Sequence, residues 1–222
     1  MKKASIKRRI KIIPGYFKRI GLKNRCFSIL SNNCWGGAVY DTFSLQYKTP
    51  TIGLYFMAED YIKFLENPSQ YLKLDLKQCS WENVPFKQSL VDGAEATKKS
   101  LGKSLDDMII AQLCDIYIVF LHYNSWDEAV SKWNRRKKRL DMDNLIVKFN
   151  DQNGFSRDLF ERFDALPFKN KIFYTADDTI RSNGSTTVIY LPEYKDDGYV
   201  ISDMNFSNQQ FNIKKYLNTM IR

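Results

Sequence analysis

The sequence predicts an α/β protein built as a three-layer, mostly parallel open sheet with helices on both faces, a Rossmann-like arrangement. Three observations predict this class. Short apolar runs rich in β-branched and aromatic residues alternate with segments of helical periodicity. The 222 residues suffice for one such domain, and 44% hydrophobic with 27% charged residues is ordinary for a globular chain. No internal repeat or low-complexity tract interrupts the alternation.

The first element is a basic amphipathic N-terminal segment, residues 1–25, which holds ten Lys and Arg and no acidic residue. Its apolar residues recur at steps of four and three, namely Ile6, Ile10, Ile13, Phe17 and Ile20. This pattern predicts a helix suited to an anionic membrane surface, divided into two pieces at Pro14. A flexible basic tail, or a helix packed on the domain, is the alternative.

Residues 26–222 are predicted to form a single α/β domain. Its strand candidates are Cys26–Leu30, Thr51–Phe56, Asp115–Leu121, Leu145–Phe149, Lys171–Tyr174 and Thr187–Leu191. Its helix candidates are Ala38–Tyr47, Ala58–Glu66, Leu105–Leu113, Trp126–Leu140, Arg157–Leu166 and Gln209–Leu217. The polar stretch 75–103 receives no assignment.

Composition excludes several classes of protein. One histidine and four cysteines without CxxC spacing argue against a structural zinc site and favour reduced thiols. No secretory signal and no apolar run of about 20 residues is present, which predicts a cytoplasmic protein, with peripheral attachment to the inner face of the membrane as an option. Outside residues 1–25 the chain holds 24 basic and 25 acidic residues, so it lacks the overall basicity of a nucleic-acid-binding domain.

The loop SNNCWGG, residues 31–37, follows the first predicted strand and precedes a helix. Ligands of open α/β sheets bind beyond the carboxyl ends of the strands, so this loop is the first candidate site. The predicted ligand-binding residues are Asn32 and Asn33 for sugar hydroxyls, Trp35 for stacking, and Gly36 and Gly37 for close backbone approach to a phosphate. The alternative is a glycine-rich turn whose asparagines cap the helix.

Two residues are candidates for catalysis. His122 follows the apolar run DIYIVFL and has a reference pKa near 6.5, which suits a general base. Cys34 can act as a nucleophile if a base lies near it. The alternatives are a histidine that hydrogen-bonds a loop and a small buried thiol. Tyr123 and Ser125, which flank His122 in HYNSWDEA, join the predicted ligand-binding residues.

The segment SWDEAVSKWNRRKKRL predicts a helix with Ser125 and Glu128 as a capping box. In its last turn, Arg135 and Arg136 are predicted to bind a diphosphate, because a guanidinium fork matches phosphate geometry. A solvated helix end is the alternative for this basic run. No residues are assigned to a metal site. Asp143 and Asp151 flank the fourth strand and are candidates to bind a divalent metal that would accompany a nucleotide-sugar donor. Surface or capping roles are the alternative for these two carboxylates.

Several segments together resemble one bacterial family: FSILSNNCWGGAVY, TPTIGLYFMAEDYIKFLENPSQYL, FLHYNSWDEAVSKWNRRKKRL with DNLIVKF, and LPFKNKIFYT. The resemblance, over about residues 26–175, is to exopolysaccharide biosynthesis proteins built on a domain of unknown function. It implies a role in assembling capsule or surface polysaccharide, as a transferase at the cytoplasmic face with a sugar or polysaccharide precursor as partner. A polyprenyl-phosphate acceptor at the membrane is a further implied partner.

Three functions follow as hypotheses. The first is a transferase, with glycosyl transfer favoured over acyl or phosphoryl transfer, that uses a phosphate-containing donor. The second is a non-catalytic, membrane-associated component of a polysaccharide assembly complex. The third, nucleic-acid binding through the basic segments, is disfavoured by the nearly neutral body of the chain.

Overall fold

The computed structural model describes residues 15–220, which form a mixed α/β fold with two sheets. The strands are β1 (Ser28–Ser31), β2 (Lys77–Cys79), β3 (Ile109–Leu113), β4 (Ile116–Phe120), β5 (Leu145–Asn150), β6 (Asn170–Thr175) and β7 (Thr186–Tyr190). The α-helices are α1 (Trp35–Thr42), α2 (Ala58–Glu66), α3 (Pro68–Tyr71), α4 (Lys87–Asp92), α5 (Ala94–Leu101), α6 (Trp126–Lys137), α7 (Arg157–Ala165) and α8 (Ile213–Thr219).

The larger sheet has four parallel strands in the order β1-β5-β6-β7. Because successive side chains of a strand point to opposite faces, each face has its own core. Ile146 lies in one core with residues of α1 and α8. Val147 lies in the other with residues of α2, α6 and α7. The α/β class and the parallel sheet with helices on both faces are thereby confirmed, whereas the Rossmann-like description stays a prediction.

The smaller sheet is antiparallel, in the order β2-β3-β4, and it corrects two predictions. The predicted helix Leu105–Leu113 is wrong, since its second half is β3. The predicted strand Asp115–Leu121 exists as β4, but it pairs with β3 in this sheet rather than joining the parallel sheet. A buried apolar run of five residues fits either a helix or a strand, and the tight turn at Cys114 (φ 60°) selects the hairpin.

The predicted strand Thr51–Phe56 is also wrong. Only Tyr55 forms a β-bridge, to Val119, and Gly53 has a left-handed backbone (φ 69°) that interrupts regular pairing. The segment instead connects the two sheets. The Thr51 hydroxyl accepts the Ser31 N–H at 3.3 Å, and the Phe56 N–H donates to the Asn32 carbonyl at 2.9 Å. It therefore holds the loop after β1 beside the antiparallel sheet.

The remaining helix predictions are confirmed with shifted ends. Helix α2 has the predicted bounds, whereas α1 begins three residues earlier, at Trp35, because side chains of the preceding loop cap it. Helices α6 and α7 begin as predicted and end sooner, and α8 starts at Ile213, where Asn212 accepts the Lys215 N–H at 2.9 Å. The unassigned stretch 75–103 contains β2, α4 and α5.

Residues 1–14 of the basic segment lie outside the described residues, so the predicted amphipathic helix is described only from residue 15 onward. Within 15–25, Leu22 is buried in the core, and Asn24 donates to the Asn144 side chain at 3.0 Å. Tyr16, Phe17 and Ile20 are each 63% exposed. Across residues 15–220, no helix has both the length and the apolar character needed to cross a bilayer.

Candidate functional site

The candidate site is the crevice at the carboxyl ends of β1 and β5. These two strands are neighbours, yet the helices that follow them pack on opposite faces of the sheet, α1 on one and α7 on the other. The chain therefore leaves the two strand ends in opposite directions. In an open α/β sheet, such a switch point opens a crevice between the strand ends, and ligands bind there.

A buried polar network fills this crevice. Lys148 of β5 is fully buried, and its Nζ donates to Asn32 Oδ1 at 3.3 Å and to Asn33 Oδ1 at 3.1 Å. The Asn32 Nδ2 donates to Asn150 Oδ1 at 2.7 Å. Lys148 also forms an ion pair with Asp203, whose side chain is 2% exposed. The network therefore joins the loop after β1, the end of β5 and a segment near the C-terminus.

Asp203 receives three hydrogen bonds on a single carboxylate oxygen. Its Oδ2 accepts from Lys148 Nζ, from Asn33 Nδ2 at 3.0 Å and from Asn150 Nδ2 at 2.9 Å. Burial lowers the pKa of Lys148 below its ordinary value, and the Asp203 carboxylate opposes that shift. Removing two charges from water is costly, so each charge depends on the other and on the surrounding amides.

Cys34 lies beside this pair. Burial, reinforced by the Asp203 charge and opposed by Lys148, raises the pKa of its thiol to about 11. The thiol is consequently protonated at neutral pH, and its Sγ lies 3.9 Å from the Leu54 carbonyl oxygen, to which it donates. A thiolate nucleophile, as predicted for Cys34, requires a different electrostatic environment from the one in this structure.

The start of α1 matches the capping alternative. The Trp35 N–H donates to Asn33 Oδ1 at 3.1 Å, and the Gly36 N–H donates to Ser31 Oγ at 3.2 Å. These donors are therefore occupied by the loop itself. A Cβ on Gly36 would lie 2.9 Å from Ser31 Oγ, which explains the glycine. Gly37 is buried in the same turn, and the fully buried Trp35 ring packs against Tyr174 and Phe206.

An open cleft of about 550 Å³ adjoins the network. Its lining combines polar side chains, two aromatic rings and two glycines: Asp151, Gln152, Asn153, Gly154, Phe155, Gly198 and Tyr199. Gln152 connects the buried polar network to the cleft, because its Oε1 accepts from Asn150 Nδ2 at 2.9 Å and the residue also lines the cleft. A ligand in the cleft would thus lie next to the buried lysine and its amide partners.

His122 lies outside the network, on the loop after β4. Its backbone N–H donates to the Gly53 carbonyl at 3.0 Å, and its side chain is exposed. Partial desolvation of the ring and the nearby Lys103 lower the pKa of the imidazole below its ordinary value, so the neutral form of His122 predominates at pH 7. Among the described residues, no hydrogen bond joins His122 to Cys34. The His122 backbone N–H instead donates to the Gly53 carbonyl, and the Cys34 thiol donates to the next carbonyl along the chain, that of Leu54.

The segment after His122 supports the fold. Tyr123 is buried, donates its hydroxyl hydrogen to the Ile52 carbonyl at 2.5 Å, and accepts from Arg136 Nη1 at 2.6 Å. Ser125 caps α6 by accepting the Glu128 N–H at 3.2 Å, and Glu128 accepts the Asn124 N–H at 2.8 Å. The predicted capping role of Ser125 is thereby confirmed, whereas Glu128 bonds the N–H of the residue before the N-cap instead of the N–H of Ser125 itself.

The two arginines predicted to bind a diphosphate occupy different environments. Arg136 is 6% exposed and lies 4.9 Å from the centre of the Tyr47 ring, in addition to its bond to Tyr123. Arg135 is exposed. The Arg136 guanidinium thus points into the protein, whereas that of Arg135 points to solvent. Arg135 can therefore contact a ligand without a change in the core.

We expect Arg136→Ala to lower the free energy of unfolding by about 2–3 kcal/mol, because it removes a charged hydrogen bond and a cation–π contact from a buried site. Arg135→Ala is the matched control and is expected to change stability by less than about 0.5 kcal/mol. Urea unfolding monitored by circular dichroism measures both values. Equal losses in the two variants would contradict the assignment of Arg136 to the fold.

Asp143 and Asp151 cannot hold one metal ion together. They flank opposite ends of β5, and eight residues of extended chain span about 26 Å. The Asp151 carboxylate is moreover occupied, accepting the Ala176 N–H at 2.7 Å and the Val200 N–H at 2.8 Å. Within residues 15–220, no three His, Cys, Asp or Glu side chains cluster as metal ligands would.

The rule that ligands bind beyond strand ends reaches Asn150 and Gln152, at the end of the fourth predicted strand, but it misses Lys148 and Asp203 at the centre of the network. One signal for Lys148 was present. The buried strand β5 reads LIVKFN, and a lysine inside an apolar strand is rare unless it is paired. No signal marked Asp203, since its partner lies 55 positions away along the chain.

Comparison with known proteins agrees with the coarser part of the resemblance found in the sequence. A protein of Haemophilus influenzae, described only as an uncharacterized protein, is 30% identical over 154 residues, which is 69% of this chain and 64% of that relative. This chain thus spans less than two thirds of that relative's length. Residues 5–221 match the family described as "Domain of unknown function (DUF1919)". The protein therefore belongs to the DUF1919 family.

Proposed function

We propose that this protein is a transferase of exopolysaccharide or capsule synthesis, and specifically a glycosyltransferase that uses a phosphate-containing donor such as a nucleotide sugar. The observation that carries the proposal is the switch-point crevice between β1 and β5, with its buried lysine and amides, and the cleft that adjoins it. Carboxyl-end crevices of parallel sheets are where nucleotide ligands bind in proteins of this class.

The chemistry of the cleft supports a saccharide as ligand. Tyr199, 50% exposed, and Phe155 offer aromatic surface on which the apolar face of a sugar ring can stack. Gln152 and Asn153 offer amide donors and acceptors that suit hydroxyl groups. Gly154 and Gly198, both with positive φ, leave the backbone uncovered for close approach. Lys148 is linked to this lining through Asn150, which shares Asp203 with Lys148 and donates to Gln152.

The proposed reaction is an ordinary displacement. His122 takes the proton of an acceptor hydroxyl, the acceptor oxygen attacks the anomeric carbon, and the nucleoside diphosphate leaves with the electrons of the broken bond. Arg135 offsets the charge that develops on the leaving group. A polyprenyl-phosphate acceptor would instead attack through its ionised phosphate oxygen, without a general base, and would place the reaction at the membrane, in line with the exposed Tyr16, Phe17 and Ile20 of the basic segment.

The test is a turnover assay of the purified full chain with a panel of nucleotide sugars and a polyprenyl-phosphate acceptor, with and without Mg²⁺ or Mn²⁺, in which released nucleoside diphosphate is measured. We expect release with one class of donor and a loss of at least about tenfold in Asn33→Ala. Asn170→Ala is the matched control, because Asn170 is a half-buried asparagine at the opposite end of the same sheet. The proposal would be contradicted by the absence of turnover with every donor, together with normal polysaccharide production by cells that carry the Asn33→Ala variant.

A second candidate function is a non-catalytic, membrane-associated component of a polysaccharide assembly complex. The raised pKa of Cys34 and the mutual hydrogen bonding of the crevice amides favour it, because both describe a site without an activated group. In this case, saccharide would bind without turnover. Equilibrium binding of an oligosaccharide to the protein, in the absence of nucleoside diphosphate release, would distinguish this function from catalysis.

The pH dependence of turnover tests the role of His122. The pKa of His122 is lowered by desolvation and by Lys103, so the neutral base predominates at pH 7 and is lost as the pH falls through that pKa. We therefore expect kcat/KM to be constant from pH 7 to 8 and to decline about tenfold per pH unit well below pH 6. The His122→Gln variant should have a lower kcat/KM, and its kcat/KM should not decline further at low pH. A decline that persists in this variant would show that another group titrates.

A further inference from the structure

The segment 198–206, here called the strap, passes over the mouth of the crevice. It begins at Gly198, which has a left-handed backbone (φ 76°), and it reaches Phe206, whose ring packs on Trp35. Asp203 points inward to Lys148. Tyr199, Ile201 and Met204 are 50%, 54% and 38% exposed. The strap thus buries Asp203 together with the apolar Val200, and it leaves three large apolar side chains at the surface, where a buried carboxylate beside exposed apolar groups is unusual.

The attachment of the strap depends on side chains. In the part of the chain that the structure describes, residues 199–205 form no hydrogen bond from main chain to main chain. The Val200 N–H donates to Asp151 Oδ1 at 2.8 Å, and Gln152 Nε2 donates to the Val200 carbonyl at 2.6 Å. The third attachment is the Asp203 carboxylate. A segment held in this way can detach without disrupting a sheet or helix.

The inner attachment has the form of an anion site. One lysine and two amide groups, from Lys148, Asn33 and Asn150, converge on a single carboxylate oxygen of Asp203. The same three donors suit an oxygen of a phosphate group, which carries at least as much charge and more acceptor positions. The cleft lined by Gly198 and Tyr199 lies beside these donors, because Gln152 lines the cleft and accepts from Asn150 Nδ2 at 2.9 Å.

We propose that Asp203 occupies the position of a ligand phosphate, so that a phosphate-bearing ligand displaces the strap and takes over its three donors from Lys148, Asn33 and Asn150. This proposal rests on the proposed function only for the identity of the ligand, which would be the phosphate-containing sugar donor. The arrangement with Asp203 bound to Lys148 is then the closed form of the unliganded protein. The exposed Tyr199, Ile201 and Met204 are then free to cover the ligand after the strap has moved.

Competition between Asp203 and the ligand has a measurable consequence. If the binding-competent state is a minor one, the observed dissociation constant exceeds the intrinsic constant by the inverse of that state's population. Weakening the inner attachment therefore tightens binding. Inorganic pyrophosphate is the probe, because it carries the phosphate chemistry without a sugar or base. Isothermal titration calorimetry on the full chain measures its affinity.

We expect Asp203→Asn to bind pyrophosphate at least about tenfold more tightly than the unmodified protein does. The double variant Lys148→Met/Asp203→Asn should lose this binding, which separates the crevice from the basic N-terminal segment as the binding place. Asp177→Asn, which removes an exposed carboxylate paired with Arg157, is the matched control and should leave the affinity unchanged.

A second variant keeps the test valid if Asp203→Asn folds poorly. Gln152→Ala releases the Val200 and Ile201 carbonyls and leaves Lys148 and Asp203 paired. It should tighten pyrophosphate binding by several-fold. In either variant, a rise of the melting temperature with pyrophosphate that exceeds the rise in the unmodified protein is the expected thermal counterpart.

Equal affinity in the unmodified protein and in both strap variants would overturn the inference, and so would binding that survives in the double variant. Absence of pyrophosphate binding in every variant would overturn it as well. None of these outcomes decides the proposed function, because the turnover of a nucleotide sugar is measured independently of the affinity for pyrophosphate.

Discussion

Lys148→Met is expected to lower the free energy of unfolding by about 3–5 kcal/mol, because it leaves the Asp203 carboxylate buried without a counter-charge. Lys148 is fully buried, and Asp203 is 2% exposed. Urea denaturation at pH 7 measures the loss. Replacing both partners, as in Lys148→Met/Asp203→Leu, should recover most of it, since two apolar side chains do not carry the desolvation cost of an unpaired ion.

Lys171→Met is the matched control for this experiment. Lys171 lies on the neighbouring strand β6 and is 1% exposed, but its Nζ donates to the backbone carbonyls of Asp164 and Leu166 rather than to a carboxylate. Its replacement should cost about 1–2 kcal/mol, the value of the hydrogen bonds alone. A loss in Lys148→Met no larger than in this control would show that the ion pair contributes no more than ordinary hydrogen bonds.

Deleting residues 2–14 is expected to weaken binding to anionic lipid vesicles by on the order of 100-fold or more. The deletion removes six Lys and Arg, and each basic residue near an anionic surface contributes roughly 1 kcal/mol. Co-sedimentation with vesicles of phosphatidylcholine and phosphatidylserine measures the change. Pure phosphatidylcholine vesicles should bind both proteins weakly, because they lack the charge.

Two further variants separate charge from apolar contact. Phe17→Ser with Ile20→Ser removes exposed apolar side chains while keeping every positive charge, and it should also weaken binding. Lys98→Gln with Lys99→Gln removes two exposed charges from α5 and should have little effect, because these residues lie outside the basic segment. Full binding by the protein without residues 2–14 would exclude this segment as the membrane contact.

The network also explains why the loop SNNCWGG has its composition. The Asn33 side chain serves four partners, since its Oδ1 accepts from Trp35 N and Lys148 Nζ while its Nδ2 donates to Asp203 and to Gln152 Oε1. Only an amide side chain can accept and donate in this way within one short residue. The same asparagine starts helix α1 and holds the buried charge pair.

The sequence by itself determined what depends on local periodicity. It predicted the parallel strands to within a few residues and the bounds of α2, because alternation of apolar residues and helix caps are properties of neighbours along the chain. It also directed attention to the loop 31–37, since glycines and asparagines between a strand and a helix identify a turn. The same motifs indicated a family built on a domain of unknown function, and the match over residues 5–221 agrees with that part of the resemblance.

Only the tertiary structure decided which distant residues meet. Lys148 and Asp203 are 55 positions apart, and nothing in the segment 198–206 predicts that its aspartate enters the crevice. The antiparallel pairing of β3 with β4 placed His122 outside the network, although the pattern of its strand suggested the parallel sheet. Burial and charge pairing depend on strand order and on the faces that helices cover, and these result from the packing of the whole chain.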